Sequence, residues 1–207
     1  MTTLLFDLDG TLIDTSSVVL PAFTATLKFL GTKIPDTEVL RATFGVPDEE
    51  IWKQLLPEGD KALRQVAYVR AQAEICAGIR RTRVLLPETL TVLQKLYLRG
   101  HTLSVASNCS SAYLEAVVSS QGLGPLLTHP LCLESVGGHC KADILAAHQA
   151  YFGTDPLVMV GDRLSDVEAA KATGLPVVGC AFGFGNPQEV AGANVVIHRL
   201  SQLLDLY

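Results

Sequence analysis

The chain has 207 residues, 48% of them apolar and 18% charged; this suits one globular unit or a domain carrying an insertion, and excludes collagen-like, disordered and disulfide-scaffold proteins. Sixteen basic against 21 acidic residues leave a net charge of −5, which offers no general attraction for nucleic acid or for a membrane surface. Five cysteines without a C-x-x-C pair encode neither a disulfide framework nor a zinc site, and no apolar run approaches the roughly 18 to 20 residues of a membrane span, so a soluble, cytoplasmic protein is expected.

In chain order, Thr3–Phe6 is an apolar run too short for a helix, and it stops at the turn signal Asp7-Leu8-Asp9-Gly10-Thr11. It reads as a buried strand with its loop. From Ser16 to about Arg83 the pattern is helical throughout, and Pro35, Pro47 and Pro57 cut it into helices near 17–30, 37–43, 48–55 and 60–77. The chain then returns through Gly78 to Leu86. Pro87, the apolar stripe Leu90, Leu93, Leu96 and Tyr97, and the stop at Gly100 predict the next helix. Short Val- and Leu-rich runs over 102–106, 157–160 and 177–180 read as strands, alternating with helices over 112–121, 141–152 and 165–173. A last strand over 194–197 precedes a short closing helix. Such alternation implies an α/β fold, a doubly wound parallel sheet with helices on both faces. The expected division is a core of residues 1–14 and 84–207, with 15–83 as an inserted helical cap that lids the mouth of the first strand.

Ligands of open parallel sheets bind beyond the carboxyl ends of the strands. The polar residues collected there are Asp7 and Asp9, then Ser107 and Asn108, then Asp162 and Asp166, with Lys141 opening a later helix. Carboxylates this crowded repel one another, and a hard divalent cation with oxygen ligands, Mg²⁺, is the economical remedy. Magnesium that keeps open positions suggests phosphate chemistry, with Lys141 and the Ser107 hydroxyl addressing the phosphoryl oxygens.

These segments, Asp7-Leu8-Asp9-Gly10-Thr11-Leu12, Ser107-Asn108, Lys141 and Gly161-Asp162-x-x-x-Asp166, resemble in order the four motifs of the haloacid dehalogenase superfamily. Asp14-Thr15, Gly-Asp-Arg-x-x-Asp and Phe182-Gly183-Phe184-Gly185 look like its phosphoglycolate phosphatase-like group. The resemblance implies that Asp7 attacks phosphorus and becomes an aspartyl phosphate, while Asp9 protonates the leaving oxygen and then activates water. It implies metal ligation by Asp7, the Asp9 carbonyl and Asp162, with Asp166 in support, and phosphate binding by Ser107 and Lys141. Because Asp9 is present, the pattern departs from that of the superfamily's dehalogenases.

Taken alone, Asp-x-Asp-Gly is a common turn fragment, Asp166 is a favourable first-turn helix charge, and Ser107-Asn108 could cap the next helix. Their order along the chain favours the catalytic reading. Arg41 and the Phe44-Gly45-Val46-Pro47 turn, with Gly45 at its centre, are the expected cap contacts to substrate. Arg163 could pair with a neighbouring acid, and Cys109 reads as a small packed residue. The expected activity is a Mg²⁺-dependent phosphatase of a small phosphorylated metabolite, resembling phosphoglycolate or a sugar phosphate, acting as a monomer or homodimer. A phosphosugar mutase and a non-catalytic binding or receiver-type protein are the alternatives.

Overall fold

The computed structural model describes all 207 residues, Met1 to Tyr207. Its elements in order are β1 (Thr3–Phe6), α1 (Ser16–Phe29), α2 (Thr37–Ala42), α3 (Asp48–Leu55), α4 (Lys61–Arg81), α5 (Thr89–Leu98), β2 (Thr102–Ser107) and α6 (Ser111–Ser120). There follow β3 (Leu131–Cys132), α7 (Leu133–Val136), α8 (Lys141–Phe152), β4 (Leu157–Gly161), α9 (Leu164–Ala172), β5 (Val177–Cys180), β6 (Val195–Ile197) and α10 (Leu203–Leu206). All strands are parallel, in the order β3-β2-β1-β4-β5-β6. The order reverses around β1, so the crevice falls at the end of that strand, as in other doubly wound sheets.

Strand alternation sends side chains to two cores. Leu4 and Phe6 of β1 join the cluster that holds Leu93, Leu96 and Val117, while Leu5 joins Met159, Ile144 and Val167 on the opposite face. Burying both faces explains why these strands read as continuous apolar runs. The cap helices are built onto the first cluster: Phe23, Trp52 and Ile79 belong to the same apolar body as Phe6. The chain leaves and re-enters the sheet region side by side. Asp14 N–H donates to Val84 carbonyl at 2.8 Å and Leu86 N–H to Leu12 carbonyl at 3.0 Å.

Three details depart from the sequence reading. β3 was not foreseen, because two residues are too few to show a period. Gly78 does not end the fourth cap helix; α4 runs on to Arg81, and the glycine lies within it because a Cβ there would collide with Val18 of α1. Pro87 sits in a turn, two residues before α5 begins.

Candidate active site

β1 pairs with β2 and β4 so that Phe6 lies level with Val105 on one side and Val160 on the other. The residues just past these positions, Asp7, Ser107 and Asp162, are therefore brought to one edge. Asp7 is fixed by its own N–H, which donates to Val160 carbonyl at 2.8 Å. Lys141 enters from the first turn of α8. Asp143 anchors that turn by accepting from the N–H groups of His139 at 2.7 Å and Cys140 at 3.1 Å.

Lys141 Nζ donates to Asp7 Oδ1 at 2.8 Å and is also paired with Asp166 Oδ1, all three side chains being buried. Desolvation of Lys141 opposes its charge, but Asp166 and Asp7 outweigh it and hold the ammonium well above its ordinary range. Asp166 Oδ2 accepts from Arg163 N–H at 2.9 Å, so both oxygens of that carboxylate are engaged. Asp162 accepts from Thr11 Oγ1 at 2.9 Å, Phe184 N–H at 2.8 Å and Gly185 N–H at 3.2 Å. The backbone must come close for this. Gly10, at φ +85°, and Gly183 both sit where a Cβ would collide with the Asp162 carboxylate.

One cation does not balance this group. Carboxylate oxygens of Asp7, Asp162 and Asp166 lie within 4.8 Å of one another, and Asp7 Oδ2 is buried without a hydrogen-bond partner. Burial, then Asp166 and Asp162, raise the Asp7 pKa well above the carboxylate range in spite of Lys141. Burial and Asp166 likewise lift Asp162 to about 6. An orphaned oxygen among three converging carboxylates fits a hard divalent cation with oxygen ligands.

Asp9 is held apart from that cluster. Its Oδ1 accepts from Thr15 Oγ1 and from Tyr113 OH, each at 2.7 Å, and the Tyr113 hydroxyl also lies 3.2 Å from Thr15 Oγ1. Burial raises the Asp9 pKa, and those two hydroxyls oppose the rise. Asp9 also lines a partly open cavity of about 60 Å³, together with Ser107, Asn108, Tyr113 and, from the helical segment between β1 and β2, Phe44, Gly45, Asp48 and Trp52. That volume holds about two waters. Asn108 Nδ2 donates to Gly45 carbonyl at 3.1 Å and, with the Gln72–Ser110 contact, ties cap to core.

The structure thus gathers Asp7, Asp9, Ser107, Asn108, Lys141, Asp162 and Asp166 at one mouth and sets Gly45 across from them. It does not bring Arg41 there: Arg41 is exposed on α2 and does not line the cavity. Ser110, rather than Ser107 or Asn108, caps α6. Arg163 pairs with Glu189 at 3.2 Å. Tyr113 and Asp48 were missed. The first reads as an apolar-face residue of α6, and the second as one of three first-turn acids of α3. Cys109 lines the cavity, its free thiol raised by burial and by the neighbouring thiol of Cys132, which is itself lowered to about 5 by Cys109 and Ser135.

Residues 4–180 match the family model described as haloacid dehalogenase-like hydrolase. Among curated proteins, the probable phosphatase IndB of Dickeya dadantii is 28% identical, over 97% of this chain and 90% of its own length. The N-acetylmuramic acid 6-phosphate phosphatase of Pseudomonas aeruginosa is 27% identical, over 98% and 92%. Among solved structures, a haloacid dehalogenase-like hydrolase of Streptococcus pneumoniae superimposes with a TM-score of 0.87 at 23% identity, covering 100% of this chain and 98% of that one.

Proposed function

Since the chain belongs to the haloacid dehalogenase-like hydrolase family, and its relatives place it among the phosphomonoester hydrolases, we propose a Mg²⁺-dependent phosphatase. It acts on a small phosphomonoester, phosphoglycolate-like or sugar-phosphate-like, through an aspartyl phosphate on Asp7. The observation that carries this reading is the asymmetry of Asp7: Lys141 holds Oδ1 at 2.8 Å, while Oδ2 is buried and unpartnered among two further carboxylates. Asp7, Asp162 and the Asp9 carbonyl would hold the metal, with Asp166 behind them. When bound, Mg²⁺ supplies the positive charge that lets an anionic nucleophile approach an anionic phosphoryl group.

The chain's own residues do the rest. Lys141 orients the Asp7 carboxylate for in-line attack and offsets charge on the phosphoryl oxygens, and the Ser107 hydroxyl and Asn108 amide donate to those oxygens. As the Asp7–phosphorus bond forms, the bond from phosphorus to the leaving oxygen breaks, and Asp9 delivers its proton to that oxygen. The raised pKa of Asp9 suits it to carry that proton. Asp9, now a carboxylate, takes a proton from water as the water attacks phosphorus, releasing orthophosphate and restoring Asp7.

The test is phosphate release from p-nitrophenyl phosphate and a panel of sugar phosphates, with Mg²⁺, with EDTA, and in Asp7→Asn. Release that needs the metal and vanishes in the variant is expected, as is a phosphoryl adduct on the Asp7 peptide after acid quench. An isomerised sugar phosphate without free phosphate would replace hydrolysis with mutase chemistry, and release that survives Asp7→Asn would overturn the nucleophile.

A further inference from the structure

The charges around the cavity are one-sided. No lysine, arginine or histidine lines it; its two charged residues are Asp9 on the core side and Asp48 on the cap side. The cap wall opposite the catalytic mouth is otherwise apolar, formed by Val19, Phe23, Phe44, Ile51, Trp52 and Ile75, with the neutral polar groups of Thr43, Tyr68 and Gln72 between them. Asp48 stands at the first turn of α3, where the cavity meets an outer cleft of about 650 Å³. No hydrogen bond or ion pair engages its carboxyl, and Glu134 and Asp9 are the charges that bear on it most.

The nearby cations lie in the outer cleft and do not reach the cavity itself. Lys53 is committed to Glu49 at 2.9 Å and Glu50 at 2.8 Å, and Arg64 to the carbonyls of Leu56 at 3.0 Å and Pro57 at 2.8 Å. The outer cleft that holds these two and Lys61 also carries Asp48, Glu49, Glu50 and Glu134. When the phosphoryl group sits against Asp7, the leaving group lies between Asp9 and Asp48. A second anion there faces two carboxyl groups and an apolar wall with no cation to pair with, which costs desolvation and, wherever a carboxyl is ionised, repulsion as well. A hydroxyl or other neutral polar group instead finds acceptors and donors in Asp48, Tyr68 and Gln72. Discrimination of this kind works by rejecting the wrong ligand as much as by holding the right one.

We propose that the substrate is a phosphomonoester whose leaving alcohol carries no second anionic group, and that Asp48 is the cap residue that rejects those that do. This rests on the phosphatase reading above and narrows it, favouring neutral sugar or polyol phosphates over phosphoglycolate.

Matched pairs test it: 2-hydroxyethyl phosphate against phosphoglycolate, and N-acetylglucosamine 6-phosphate against its lactyl ether, N-acetylmuramic acid 6-phosphate. For each compound we would measure kcat/KM with the parent enzyme and affinity for Mg²⁺-loaded Asp7→Asn by calorimetry. The neutral member of each pair is expected to lead by about tenfold or more in both, a margin of about 1.4 kcal/mol. Asp48→Asn and Asp48→Ala should each shrink that lead to about threefold or less by improving the acidic member. Acidic members that bind as well as the neutral ones, binding by neither, or a lead that persists in both Asp48 variants would overturn the proposal. The two readings separate cleanly. Phosphate release with no preference within pairs sinks this inference and keeps the phosphatase, whereas preferential binding of neutral esters without any turnover does the reverse.

Discussion

The mouth at the strand ends, which reaches a small cavity through Asp9, Ser107 and Asn108, and the cap wall on the other side of that cavity are built on opposite rules. At the mouth, charge is dense and largely committed: Lys141 bridges Asp7 and Asp166, Asp162 accepts three hydrogen bonds, and among the buried carboxylate oxygens Asp7 Oδ2 is left without a partner. Across the cavity the wall is apolar, and its one acid, Asp48, is held by nothing. Buried committed charges are rigid and costly to disturb, whereas an apolar wall tolerates substitution of similar volume. On the proposed function, the reaction is thereby fixed on one side and substrate choice left adjustable on the other.

The sharpest way to break that contrast is at Lys141. Replacing it by methionine keeps the volume and strands Asp7 and Asp166 without their cation, which typically costs about 3–5 kcal/mol. Urea unfolding in EDTA should show a loss of that order, with Mg²⁺ restoring more stability to Lys141→Met than to the parent. Gln72→Met, a comparable change on the cap wall, should stay within about 1 kcal/mol. Equal losses at the two positions would mean that mouth and wall are not different kinds of structure.

A smaller effect, with a sign fixed by pH, is expected at Asp48. Burial, then Glu134 and Asp9, raise its pKa from 3.8 to about 7. The folded chain therefore keeps a proton that the unfolded chain has released between about pH 4 and 7, and through that window Asp48 erodes stability as pH rises. Below the window the residue costs nothing, and above it the penalty is constant. Asp48→Asn should match the parent near pH 4 and exceed it above pH 7. The shift sets a ceiling of about 4 kcal/mol, and partial exposure reduces the expected gain to about 1–2 kcal/mol. Thermal melts of both proteins from pH 4 to 8 decide the matter; a gap that narrows with rising pH would place the acid in a favourable setting and remove it as a rejecting group.

The same contrast explains what could be read from the sequence. The mouth was legible because each of its acids falls within a few residues of a strand end, and a parallel sheet brings strand ends together whatever the loops do. Asp7, Ser107, Asp162 and Asp166 were found by position, and Lys141 by its place at a helix start. The wall had no such rule. Asp48 belongs to a run of three acids that reads as ordinary complement to a helix dipole, and only the packing of α3 against α4 and the mouth turns it inward. Arg41, singled out for its chemistry, lies on an exposed face of α2 because Leu40 takes the buried position beside it. Tyr113 sits on the buried side of α6, where an aromatic is usually filler, and its hydroxyl finds Asp9 across 104 residues of chain.

Tyr113 is where the two regions meet, since it lines the cavity and also bonds the acid of the mouth. Its hydroxyl and that of Thr15 share Asp9 Oδ1, so Tyr113→Phe removes one of two donors rather than the only one. The loss should be about one hydrogen bond to a charged group, on the order of 1 kcal/mol, or about three- to tenfold in kcat/KM. What distinguishes a positioning role from loosened packing is the leaving group. Alkyl esters need a proton delivered to the departing oxygen and should feel the whole loss, whereas p-nitrophenolate departs without one and should feel little of it. A uniform loss across both esters would return Tyr113 to the wall as a packing residue and leave Thr15 as the group that orients Asp9.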